Sequence, residues 1–333
     1  MPAWIKKIGA VVGLVAAVLT VGYLLDPTWY GRMQEAEWAA PLEAQREACE
    51  NGASDGNYVA AIALCETALA TLKSLKYPPP LVEATLLNEL SRNHYDARQS
   101  EPALRFGKAS LALQKPDGRG LAEVSLRAET LNNLGRVYYR FTEDYDTALD
   151  YFKQAMVIWE KTDGAVSRSI AASINNLGVV YYSRDAYDSA EKQFQASLTM
   201  REQLLRDAPD ERGLQEDVIE ALLNMASTVE QQQRYLDADA WWSRCLEKVD
   251  AWLPENHPDR VQPYLYAGEA YYERSGGRAQ MLRALALLQK AVDVTEHTPG
   301  APSLLRERAL RSLADVYESL SRPKEAAAAR KRI

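Results

Sequence analysis

Histidine is nearly missing from this chain: His94, His257 and His297 are the only three in 333 residues. They stand far apart, without a His-Glu-x-x-His or Cys-x-x-Cys arrangement, so metal-ligand spacing is absent. Neither a Walker loop, nor Gly-x-Gly-x-x-Gly, nor Gly-x-Ser-x-Gly occurs. No catalytic residue, metal or cofactor is therefore expected. Cysteine is as scarce. Cys49, Cys65 and Cys245 are too few and too scattered for a disulfide framework or a zinc site. Cys65 and Cys245 read as small core residues, and a Cys49–Cys65 bond would need an oxidising compartment. Alternating β-branched runs are few, which argues against a sheet. Phenylalanine is outnumbered by tyrosine, 4 to 18, and basic residues by acidic ones, for a net charge of −7. That balance disfavours nucleic acid and anionic lipid as main partners and favours basic or polar ones.

What is present repeats. Leu131-Asn-Asn-Leu-Gly-Arg-Val-Tyr-Tyr139 recurs as Ile174-Asn-Asn-Leu-Gly-Val-Val-Tyr-Tyr182. Each copy is followed by a similar turn, Asp144-Tyr-Asp-Thr-Ala148 and Ala186-Tyr-Asp-Ser-Ala190, and then by an aromatic, Phe152 or Phe194. A period of roughly 40 residues marks a helical repeat, in which no unit buries its apolar face alone. Leu131, Leu134 and Tyr138 share one helix face. Gly135 on that face predicts close approach of a second helix, because glycine inside a helix costs about 1 kcal/mol relative to alanine. Ala148 and Phe152 supply the facing small and large surfaces.

The pattern resembles the tetratricopeptide repeat (TPR), in the long-period form of kinesin light chains. The resemblance implies an all-α TPR superhelical solenoid of about seven helix pairs over residues 35–333, clearest at 127–161 and 170–205. Weaker units contain Leu87, Leu90 and Ala103; Leu222, Met225, Ala226 and Trp242; Tyr264, Gly268 and Leu288; and Leu313, Ala314 and Ala326. A degenerate first unit surrounds Ala61 and Ala68. Proline and glycine at Pro78–Pro80, Lys115–Gly118, Asp207–Pro209, Pro254–Pro258 and Thr298–Gly300 fall between units, where they stop helices. His257-Pro-Asp259 is shared with J-domain cochaperones, but the flanking lysine-rich segments are missing. Asp259 is expected instead to cap the following helix. Leu313, Val316 and Tyr317 are expected to present an open end suited to self-association.

Ile8 to Leu25 is an uncharged apolar run preceded by Lys6 and Lys7. Eighteen helical residues span about 27 Å, enough for a bilayer core. The run is expected to be an uncleaved transmembrane signal anchor, with residues 1–7 cytoplasmic and 26–34 a linker. The alternative is a cleaved signal peptide, for which no small-x-small site stands out. Either way the repeats would lie outside the cytoplasm, in the periplasm of a bacterium.

Asn132-Asn133 and Asn175-Asn176 sit mid-helix, where asparagine competes with its own backbone. In peptide-binding members of the resembled family, the second asparagine of such a pair lies on the concave face. Carried over, Asn133, Asn176 and Asn224 form a ladder for an extended protein or peptide segment, flanked by Arg92, Arg136, Tyr139, Arg140 and Tyr182. The alternative is that these asparagines bridge neighbouring repeats. Glu230, Glu269, Tyr272, Glu273, Asp315 and Glu318 would make the later part of the groove acidic. Trp242 reads as core and Trp241 as surface. The function implied is a membrane-anchored scaffold or adaptor, with a self-associating structural component or a J-domain-like cochaperone as alternatives.

Overall fold

The computed structural model describes residues 44–49, 58–76, 78–116, 120–274, 277–298 and 303–333. Among these, every regular element is helical. The expected membrane helix at 8–25, the segment 1–7 and the linker 26–34 lie outside the described residues. Among the described ones, no helix is long and apolar enough to cross a membrane.

Two compact units divide at Glu143 and Asp144. The first contains α1 (44–49), α2 (Tyr58–Ser74), α3 (Pro80–Asp96), α4 (Ser100–Leu113) and α5 (Leu121–Val137), closed by a π-helical turn at Tyr138–Thr142. Proline at the first position of α3 loses no hydrogen bond, because that amide has no helical partner. Cys65, Leu69, Leu72, Leu86 and Leu90 form the core of α2 and α3. The Cys49–Cys65 disulfide joins α1 to α2 with both residues fully buried, so Cys65 is a bonded cysteine as well as a core one.

The second unit contains α6 (Tyr145–Thr162), α7 (Arg168–Ser183), α8 (Tyr187–Asp207), α9 (Arg212–Gln231), α10 (Tyr235–Trp252), α11 (Val261–Glu273), α12 (Gly277–His297), α13 (Ser303–Ser319) and α14 (Pro323–Arg330). Helix α6 shows why these segments are helical. Its buried residues Ala148, Phe152, Ala155 and Trp159 recur at helical spacing. Asp144 caps it by accepting from the Thr147 amide at 3.1 Å. One apolar cluster then runs from Ala190 to Ala329.

Within each unit, paired helices meet where one residue is small and its opposite large. A Cβ on Gly178 would lie 2.6 Å from the Phe194 ring, and one on Gly268 would lie 2.8 Å from Leu288. In the first unit, a Cβ on Gly107 would meet Leu134 at 2.8 Å. A second contact recurs at constant register. Ser110 donates to the Ala84 carbonyl at 2.7 Å and Ser197 to that of Ala171 at 2.8 Å. The Cys245 thiol approaches the Ile219 carbonyl at 3.9 Å, again 26 residues back. The Ser197 and Cys245 sites, where the repeat pattern asks for alanine, thus tie a second helix to the backbone of its first. Burial pushes the Cys245 thiol up to about 12, leaving it inert at neutral pH.

Turns between paired helices share a backbone device that composition hides. Arg98, Glu143, Asp185, Gln233 and Ser321 all have φ between 53° and 61°. At Asp185 the bonds are Ala186 N–H to Tyr181 O and Asp185 N–H to Tyr182 O, each 3.0 Å. This is a Schellman closure built without glycine. The Arg98, Gln233 and Ser321 turns bond in the same way.

Two expectations are corrected. Asp259 does not cap the helix after it. His257 accepts the Asp259 amide and opens a 3₁₀ turn at Pro258–Arg260, and α11 follows without a side-chain cap. Nor do Leu313, Val316 and Tyr317 present an open face. All three are buried in the same cluster as Ala326 and Ala329 of α14.

Replacing Gly178 with alanine should destabilise the second unit by about 1–3 kcal/mol through overpacking. Urea denaturation of Gly178→Ala, Phe194→Leu and the double variant checks this. The double variant should be more stable than the summed single effects, and strict additivity would show that ring and methyl do not meet.

Candidate functional site

The first helix of each pair contributes to one face in each unit. In the first unit this face joins α3 and α5. Asn133 donates to Asn88 Oδ1 at 3.0 Å. Arg136 lies 3.6 Å from Asp96, with its guanidinium 4.2 Å from the centre of the Tyr95 ring. Arg140, in the π-helical turn, stacks on the same ring at 4.9 Å and is exposed. Arg92 pairs with Glu89, and half-buried Tyr139 sits beside Arg140 in the turn. Burial raises the Asp96 carboxyl above its ordinary value, against the lowering pull of Arg136, Arg92 and Arg140. The structure therefore gathers Arg92, Asn133, Arg136, Tyr139 and Arg140 at neighbouring positions of two helices.

In the second unit the face is built from α7, α9, α11 and α13. Asn224 donates to Asn175 Oδ1 at 2.9 Å, and Asn175 donates to Glu220 at 3.2 Å. Asn176 is half-buried on α7. Within each unit one asparagine pair joins neighbouring repeats, Asn88–Asn133 in the first and Asn175–Asn224 in the second. In both pairs an amide is spent on the neighbouring repeat. Spacing alone did not show that Asn175 meets Asn224.

A cavity of about 350 Å³ opens on this face, lined by Tyr182, Asn224, Gln231, Tyr266, Glu273 and Arg308 among others. Tyr182 is edge-on to Tyr187 at 5.5 Å. Burial raises its hydroxyl pKa, opposed by a hydrogen bond with Gln231. A wider depression of about 830 Å³ runs along α8 past Lys192, Thr199 and Met200. One helix supplies nearly all of its lining, so it offers fewer converging groups.

The later face is less acidic than its sequence suggests, because arginines arrive from the next turn or helix. Arg274 is held by Glu230 at 2.7 Å and Asp239 at 2.5 Å. Its side chain is only 4 % exposed and that of Glu230 10 %, so this pair is buried. Burial alone would lower the Arg274 pKa, but the two carboxylates outweigh it and raise it. The Trp242 indole also donates to Glu230 at 3.2 Å, and Trp242 is core as expected. Trp241 is half-buried, under the Arg244 guanidinium at 5.6 Å. Arg308 clasps Glu269 through two bonds of 2.9 and 2.6 Å, and Arg330 faces Asp315 and Glu318. Tyr272 reaches Ser319 at 3.1 Å. Of the expected carboxylates, Glu273 alone makes no ion pair among the described residues.

His257-Pro-Asp259 is joined by Glu216, whose carboxylate is 3.5 Å from the imidazole. Potential ligand atoms of the three residues lie within 4.8 Å of one another. Burial, with Asp259 nearby, raises the Glu216 carboxyl. Asp259 is exposed, and the imidazole is already occupied as a cap and as a neighbour of Glu216. Local hydrogen bonding accounts for the group.

Residues 126–203 match the family model of the tetratricopeptide repeat. That span holds the two closely similar copies of the Asn-Asn-Leu-Gly motif. No curated protein matches the chain. Among solved structures, BtubC (BKLC) from P. vanneervenii is similar at 20 % identity and TM-score 0.53, over 75 % of this chain and 92 % of that one. The apo form of RapI is similar at 13 % identity and TM-score 0.59, over 87 % and 94 %. A signal-transduction ATPase with a tetratricopeptide repeat sensor, from Pyrococcus horikoshii, is similar at 14 % identity and TM-score 0.64. It is matched over 98 % of this chain and 47 % of its own. Among the described residues the fold is all-helical and TPR-like.

Removing one partner of the buried Arg274–Glu230 pair should destabilise the second unit by about 3–5 kcal/mol, because the other charge is stranded. Arg274→Met alone should show this loss in urea denaturation. Arg274→Met with Glu230→Leu should recover most of it, and a double variant no more stable than the single one would contradict the argument.

Proposed function

We propose that this chain is a membrane-anchored adaptor that holds a protein or peptide segment against its first-helix faces, and that it is a binder and not an enzyme. The observation that carries this reading is the cavity of about 350 Å³ in the second unit, where tyrosine, asparagine, glutamate and arginine converge from four helices. Tyr182 and Asn224 belong to that cavity, with Asn176 on the same row of helices. Asn133, Arg92, Arg136, Tyr139 and Arg140 offer a separate surface on the first unit. Rap proteins of similar fold are solved with Competence and Sporulation Factor and with the Phr* peptide, at TM-scores of 0.57 and 0.55. These give precedent for ligand capture by such a stack.

Residues 8–25 supply the anchor in this reading. Lys6 and Lys7 keep the N-terminus cytoplasmic, and the repeats lie on the other side, in the periplasm of a bacterium. The Cys49–Cys65 bond supports that placement, since disulfides persist in oxidising compartments.

Two experiments test the proposal. Crosslinked capture from native membranes should recover a protein partner with the wild type and lose it with Arg136→Glu/Tyr182→Ala. Retention of the same partner by the folded variant would sink the groove reading. In protein taken from intact cells and denatured without reductant, Cys49 and Cys65 should resist maleimide until a reductant is added, as read by the mass shift of their peptides. Labelling of Cys49 or Cys65 before reduction would count against an extracytoplasmic location, Cys245 being the free thiol that labels in either case.

A further inference from the structure

The cavity of the second unit is bounded by the last turns of three helices. Tyr182 stands next to the end of α7, Gln231 ends α9 and Glu273 ends α11. Helix C-termini carry partial negative charge, so their convergence favours a cation. The fixed charges act in the same direction. Glu230 is neutralised by Arg274 and Glu269 by Arg308. That leaves the exposed Glu273 carboxylate in a lining it shares with Tyr182 and Arg308.

The protein already shows how a guanidinium sits on this face. Arg308 lies 5.0 Å from the centre of the Tyr266 ring while binding both oxygens of Glu269. Tyr182 and Glu273 offer a second ring and a second carboxylate in the lining of the same cavity, and Glu273 makes no ion pair among the described residues. Building on the adaptor reading, we infer that the cavity between α7, α9 and α11 takes a basic side chain, lysine or arginine, from the partner segment. The ring face of Tyr182 and the carboxylate of Glu273 receive the cation. Asn224, whose amide is bonded to Asn175, borders the adjoining backbone. A net charge of −7 adds long-range attraction for a basic segment.

Two pooled nonapeptide libraries serve as probes, one with lysine or arginine fixed at the centre and one with aspartate or glutamate there. Retention is measured on the purified, immobilised full chain by mass spectrometry. The wild type should favour the basic-centred pool by about fivefold or more. Glu273→Gln should abolish that preference and Glu273→Lys reverse it. Both change an exposed side chain without an ion pair, and circular dichroism verifies that they remain helical. Equal retention of the two pools by the wild type would overturn the basic-side-chain assignment while leaving the adaptor reading standing. Retention of neither pool would overturn both. A basic preference unchanged in both Glu273 variants would place the cation elsewhere and defeat the assignment.

Discussion

Close approach within each helical pair is the constraint on which the rest of the structure depends. Where Gly178 faces Phe194 or Gly268 faces Leu288, no room remains for another methyl. The backbones come near enough for a side chain on the second helix to reach a main-chain carbonyl on the first, as Ser197 reaches Ala171. Such a carbonyl is already a helix acceptor, and its second lone pair makes the extra bond available. The small residue thus fixes both the separation and the register of a pair. The aromatic opposite then fills the remaining space at crystal-like density.

Neighbouring pairs are joined by a different chemistry. Many polar contacts connect residues 39 to 49 positions apart, close to the repeat period: Asn133 to Asn88, Asn224 to Asn175, Arg274 to Glu230, and Arg308 to Glu269. Apolar contacts close each pair, and hydrogen bonds and ion pairs help set one pair against the next within its unit. A group engaged in such a bridge is less available to a ligand. The surfaces left for recognition are therefore ring faces and the carboxylates and guanidiniums without a counter-ion.

This division explains what the sequence made legible. The helical pairs were readable because packing is periodic: Leu134, Ala148, Phe194 and Trp242 are all buried. The closeness of the candidate residues Arg92, Arg136 and Arg140 was readable from the repeat register, since all three lie around Tyr95 and Asp96. Their partners were not, because an ion pair joins residues some forty positions apart with no local signature. Glu230 and Glu269 read as a bare acidic face in the sequence, whereas Arg274 and Arg308 pair with them in the fold. Asp259 resembled a helix cap, but the ring nitrogen of His257 accepted the amide instead. The cysteines were too few to suggest a framework, yet one bond needs only two of them.

The turns have a further consequence. Arg98, Asp185, Gln233 and Ser321 share one backbone conformation and almost nothing in side-chain chemistry. Main-chain hydrogen bonds hold each loop, so its shape does not depend on a particular letter in the sequence. Each turn is an address at which charge and size can be rewritten over evolutionary time while the helices it joins keep their places. A scaffold with such addresses at regular intervals can acquire new specificity along its edge without being refolded.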